Sequence, residues 1–196
     1  MRAAVVACGA LAGHIDDIAE RNGLSVHVEA VDPLLHNRPE RIAAEVEQRV
    51  EQLRHRYDRV AVAYADCGTY GALDEVCTRV GVRRLSGRHC YDVFATEQRM
   101  VQEFAAVPGT FVLTDFLART FHRNVVHELG LDRHPELRDD YFHSYTRVLW
   151  LTQAETPELA AAAQAAADTL RLPLEVVRVG DVHLERQLLD LLGAQA

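Results

Sequence analysis

The stretch that most constrains this chain is VAVAYADCGTYG, residues 60–71. Small and β-branched residues run without a charged side chain until Asp66, the pattern of a strand buried on both faces, and the Gly-containing turn after it opens a helix. Cys67 is thereby placed at the carboxyl end of an inner strand. In open α/β sheets ligands bind in the crevice outside those ends, so a thiol there is positioned for chemistry.

The rest of the chain alternates strand and helix around this run. Residues 3–7 (AAVVA) form a short apolar strand ended by Cys8-Gly9, and residues 11–21 an amphipathic helix stopped by Asn22-Gly23. Residues 25–31 alternate as SVHVEAV, a half-exposed strand, and lead into a polar, proline-bearing loop at 32–37. The helix over 41–56 carries Ile42, Val46, Val50 and Leu53 at helical spacing. Beyond the central strand the pattern predicts helices over 70–80, 91–104, 116–129, 157–170 and 183–192, and strands over 82–85, 110–113, 147–152 and 174–179, with a turn at 86–90 and a polar loop at 130–140. Such alternation calls for an α/β fold: a mostly parallel sheet with helices on both faces, a Rossmann-like three-layer sandwich in a single domain over residues 1–196.

Composition narrows the function. A net charge of -8, from 29 acidic against 21 basic residues, argues against nucleic acid or an anionic membrane as the main partner. Every basic residue is arginine, which excludes a Schiff-base lysine, a lysine general base and a Walker-type phosphate lysine. No apolar run is long enough to span a bilayer and no leader pattern opens the chain, so a cytoplasmic protein is expected. In a reducing compartment the four cysteines are free thiols, metal ligands or catalytic groups rather than disulfides.

Cys8, Cys67 and Cys90 each stand where a strand gives way to a turn, and the second strand delivers His36 through its loop. Parallel strands end on one edge of a sheet, so these residues are expected to share a rim. Thiolates and an imidazole suit zinc, either as a closed structural site or with an open catalytic position. His89, adjacent to Cys90, is expected to face substrate or donate to a ligand from behind. Asp66, Thr69 and Tyr70, with the backbone N–H groups of their turn, would seat a substrate carboxylate or phosphate, although Thr69 also suits a helix cap. Asp115 is expected to reach the same rim, with capping as its plainer role. Cys77, beside Val76 and Val80 on a helix, reads as packing.

Six motifs in order, ACG at Cys8, DPLLHN at His36, YADCGTYG at Cys67, GRHCYDVF at Cys90, GTFVLTDF at Asp115 and LGLDRHPEL at Asp132, resemble a bacterial and archaeal family catalogued as a domain of unknown function, DUF1638. Its members are often encoded beside corrinoid-dependent methyltransferases and read YGDCG where this chain has Tyr64-Ala65-Asp66-Cys67-Gly68. The resemblance implies one-carbon or amine metabolism and a corrinoid methyltransferase system as partner.

The expectation is therefore a zinc-dependent transferase or hydrolase acting on a small molecule, with Cys8, Cys67, Cys90 and His36 on the metal, His89 and Asp66 catalytic, and Thr69, Tyr70 and Asp115 on substrate. The alternatives are a metal-free cysteine acid/base enzyme of the racemase kind and a non-enzymatic corrinoid, iron–sulfur or metal binder.

Overall fold

The computed structural model describes residues 2–194. They form two compact units, residues 2–93 with 181–194 and residues 94–180. Each is built on its own three-stranded parallel sheet, so the strands predicted for one sheet are divided between two.

In the first unit β1 (Ala3–Cys8) is flanked by β2 (Val26–Val31) and β3 (Arg59–Ala63). All six residues of β1 are buried, as a central strand covered on both faces requires. Helix α1 (Gly9–Arg21) carries the chain from β1 to β2 on one side, and α2 (Ile42–Arg54) carries it back across to β3 on the other. With right-handed crossovers this reversal places α1 and α2 on opposite faces. Contacts agree: α9 (Val182–Leu192) packs on α1, and α3 (Ala72–Val80) packs on α2. The reversal also opens a switch point between the carboxyl ends of β1 and β3. Ala7 pairs with Ala63, so Cys8 and Tyr64 follow side by side at that point.

The second unit has β4 (Thr110–Thr114), β5 (Arg147–Thr152) and β6 (Leu174–Arg178) in simple sequence. Both crossovers run the same way, so α6 (Asp115–Phe121) and α8 (Pro157–Leu170) share a face and pack on each other. Trp150, Leu113, Phe121, Phe142 and the alanines of α8 fill the core between. Without a reversal of strand order, this sheet has no switch point.

Several local predictions are corrected. The strand expected over 82–85 is a single parallel bridge, Val62 with Arg84, because only one face of this polar stretch is buried. The helix expected over 91–104 is broken into α4 (Asp92–Ala95) and α5 (Glu97–Ala106) by Thr96, whose φ of 71° no helix accommodates; its hydroxyl caps α5 by accepting from Arg99 N–H. The helix over 116–129 ends at Phe121 and continues as a π-helical segment, His122–His127. The loop over 32–37 is a 3-10 turn, Pro33–Asn37, started by the Asp32 carboxylate accepting from Leu34 N–H. Inside the loop over 130–140 begins a further helix, α7 (Leu137–Phe142). Among the described residues no helix is long and apolar enough to cross a membrane.

Candidate active site

The site grows from the backbone beyond β3. After the bridge at Val62, residues 83–88 keep company with the strand: Asp66 N–H donates to Gly87 O at 3.0 Å and Cys67 N–H to Arg88 O at 2.7 Å. This brings the 66–67 and 87–90 segments together outside the sheet's carboxyl edge. The β2 loop closes from the other side. A Cβ on Gly9 would lie 2.7 Å from Pro33 Cδ, and one on Gly68 would lie 3.4 Å from Pro39 Cβ, so this loop touches the segments after both β1 and β3. Cys8, His36, Cys67, His89 and Cys90 are thus carried to one rim of the first unit, as the strand-end argument requires.

The turn carrying Cys67 is held in an unusual shape. Cys67, Gly68, Tyr70 and Gly71 have φ of 50°, 83°, 51° and 92°, and two of these residues are not glycine. Such conformations cost on the order of 1 kcal/mol or more each and persist only where the surroundings enforce them. Asp66 is the enforcer. Its carboxylate accepts from Thr69 Oγ1 at 2.6 Å, Gly71 N–H at 3.0 Å and Tyr70 N–H at 3.2 Å. Burial alone would push this carboxyl up, but those bonds and the nearby Arg84 outweigh it and hold it below its ordinary value. The N–H groups expected to seat a substrate anion are already occupied by Asp66. Thr69, buried, also accepts from Leu73 N–H, which is the capping role. Asp66 and Thr69 therefore build the turn, while Tyr70 stands 95% exposed at its tip.

The three sulfurs differ in character. Cys67 and Cys90 stand thiol beside thiol: the Cys90 neighbour, and then burial, push the Cys67 thiol up, and the same pairing draws Cys90 below the ordinary thiol value against the opposing effect of burial. His89 adds to the pull on Cys90. Its own pKa is raised, first by the Asp92 carboxylate, which lies 3.8 Å from Nδ1, and its ring stacks on Tyr91 at 4.8 Å. Cys8 is pushed up to about 11, by burial first and then by the charge on Cys90; the N–H groups of Ala10 and Leu11 pull the other way without forming a side-chain cap on α1. Cys90, half-buried, is thus the thiol of the three drawn toward ionisation, beside two buried thiols pushed the other way. His36 is exposed as a residue, yet desolvation by the surrounding protein and then the charge of His89 lower its pKa.

Two residues here escaped the sequence reading. Asp92, 3% exposed, accepts from the N–H groups of Arg88 and His89, both at 2.9 Å, and so folds the segment that presents Cys90. Tyr64, 1% exposed, lies against the thiols; its hydroxyl makes no hydrogen bond of acceptable distance and angle, and the thiol that acts on it most strongly is Cys8. Tyr64 carries the one polar side-chain atom in an otherwise apolar run, and that was the available signal.

Asp115 belongs to the second unit, where it is 3% exposed and fully engaged: it accepts from Trp150 Nε1 at 2.8 Å, Gln153 N–H at 2.9 Å and Ala154 N–H at 2.8 Å. Its carboxylate ties β4 to the turn after β5, and this geometry is that of a structural group. Cys77 is buried in α3, as expected of packing. Among the described residues, no group of three or more His, Cys, Asp or Glu side chains is arranged to hold a metal ion.

No curated protein and no solved structure matches this chain. Residues 30–188 match the family described as a protein of unknown function (DUF1638), a span holding His36, Cys67, Cys90 and Asp115 with Cys8 ahead of it. That match extends over most of the chain, which belongs to this family.

Proposed function

We propose that the protein is a cysteine-dependent acid/base enzyme acting on a small carbonyl compound. The observation that carries this reading is the meeting of Cys8, Cys67 and Cys90 at the switch point, with the Cys90 thiol drawn below its ordinary value while its two neighbours are pushed up. A thiolate and a thiol on one substrate are a base and an acid. Cys90 takes the proton from a carbon beside a carbonyl, the electron pair of that C–H bond passing into an enolate. Cys8, still protonated, returns a proton to carbon and becomes the thiolate, and exchange with solvent restores the pair. His89, held by Asp92, supplies positive charge beside Cys90. Free rather than disulfide-linked cysteines suit a reducing compartment such as the cytoplasm.

A zinc-dependent reading draws on the same convergence of soft donors, Cys8, Cys67 and Cys90 with His36, and requires those side chains to close further on the ion. One-carbon or amine chemistry, and a corrinoid methyltransferase as partner, rest on the family's setting; an iron–sulfur cluster or corrinoid would colour the protein.

The test is alkylation of each cysteine as a function of pH, mapped by mass spectrometry, with and without a chelator. Only the thiolate reacts, so the Cys90 rate should fall as pH falls through its depressed pKa and be level above it. At pH 7 Cys90 should lead Cys8, Cys67 and Cys77, and a chelator should change nothing. Acceleration of several cysteines by the chelator would instead favour the zinc reading. Equal, slow modification of all four would remove the acid/base reading.

A further inference from the structure

We infer that Tyr64 is a substrate-binding residue whose hydroxyl donates to a carbonyl or carboxylate oxygen held among Cys8, Cys67 and Cys90. This deepens the reading above by naming the group the substrate must carry, and it rests on that reading for the chemistry that follows binding.

Buried tyrosines ordinarily find a partner for the hydroxyl, because leaving it dry and unbonded is destabilising. Tyr64 is buried just past β3, in the apolar run of residues 60–65, and its Oη has no hydrogen bond of acceptable distance and angle, the weak acceptor nearby being the Cys8 sulfur. Its position is not incidental: the register sets it beside Cys8, one step past the Ala7–Ala63 pair, at the switch point between β1 and β3. The groups whose charge it senses are Cys8, Cys67 and Cys90. Burial and those sulfurs keep the phenol protonated, so it comes to a ligand as a donor.

A donor without a protein acceptor calls for an acceptor on the ligand. Proton removal from carbon makes the same demand, since the enolate oxygen gains charge as the C–H bond breaks and a positioned donor stabilises it. One hydroxyl therefore accounts both for recognition of an oxygen and for stabilisation of the reacting state. The buried setting limits the bound group to a few atoms, which a carboxylate or carbonyl satisfies. Cys90 is the residue of the three that is partly exposed, so such a group would arrive from its side.

The test compares wild type with Tyr64→Phe, using three thiol reagents mapped at Cys90: iodoacetate, which carries a carboxylate; iodoacetamide, which carries a carbonyl; and allyl bromide, which carries no oxygen. In each, the sulfur–carbon bond forms as the halide leaves. Tyr64→Phe should slow one or both oxygen-bearing reagents about tenfold, the worth of one hydrogen bond, and leave allyl bromide within about twofold. Which reagent suffers distinguishes carboxylate from carbonyl. Equal slowing of all three, or no change in any, would overturn the inference while leaving a fast Cys90 and the acid/base reading intact. Melting temperature gives a second readout: the variant should melt at or above wild type, and a fall of more than about 4 °C would assign the hydroxyl to the fold and overturn the inference. If Cys90 is unreactive in wild type the acid/base reading falls. The inference is then decided by whether acetate or acetamide raises the melting temperature of wild type and not of Tyr64→Phe.

Discussion

Replacing Asp115 with alanine should destabilise the protein by about 3 kcal/mol, lowering its melting temperature by about 6–12 °C. The carboxylate satisfies the indole N–H of buried Trp150 and two backbone N–H groups, of Gln153 and Ala154. Removing it orphans three donors, each worth roughly 1–3 kcal/mol when dry, and water admitted by the smaller side chain recovers part of that. Asp115→Asn should recover little, because an amide nitrogen in place of one oxygen cannot accept from the N–H groups that oxygen served. Calorimetry on the variant checks the claim. A change within about 0.5 kcal/mol would return Asp115 to the list of groups free to bind substrate.

Cys67→Ala should slow alkylation of Cys90 by about 3- to 12-fold at any pH below the wild-type midpoint. Cys67, placed as a hydrogen-bond donor to the sulfur, is the largest influence drawing the Cys90 thiol below its ordinary value. A hydrogen bond to a charged group is worth about 1.5–3 kcal/mol, roughly 10- to 150-fold in the thiolate population. A sulfur of higher pKa is intrinsically the better nucleophile, which restores about half of that factor on a logarithmic scale. Cys67→Ser keeps a donor at the same place and should retain most of the wild-type rate. Stopped-flow alkylation of the three proteins decides the matter. Equal rates in all three would mean that Cys90 owes its charge to something other than Cys67.

What the sequence reveals and hides follows from how each signal is encoded. The placement of Cys8 and Cys67 could be read because a buried parallel strand writes itself as an unbroken apolar run, and such a run ends where the strand ends. Strand order is not written that way. The reversal that makes a switch point beside Cys8, and its absence in the second unit around Asp115, are properties of crossover direction and emerge only in three dimensions. The turn after β3 shows a second kind of concealment: its N–H groups look available in the sequence, yet Asp66 folds back on them, because a carboxylate just ahead of a glycine-rich turn bonds its own backbone. Tyr64 was hidden by its ring, which satisfies the apolar pattern while carrying a hydroxyl that nothing in the strand can partner. Asp92 was hidden at a helix start, where an acidic residue is unremarked, although here it receives the N–H groups of Arg88 and His89.

The central claim is that sulfurs distant in sequence meet outside the switch point of the first unit, and titration with phenylarsine oxide tests it most directly. The arsenic atom exchanges its oxygen for two thiols, releasing water, and binds tightly only where two sulfurs already stand together. The account predicts one equivalent bound across Cys67 and Cys90, lost in Cys67→Ala and in Cys90→Ala and kept in Cys77→Ala. Failure of the wild-type protein to bind, or binding that survives the loss of Cys67 and of Cys90, would contradict it.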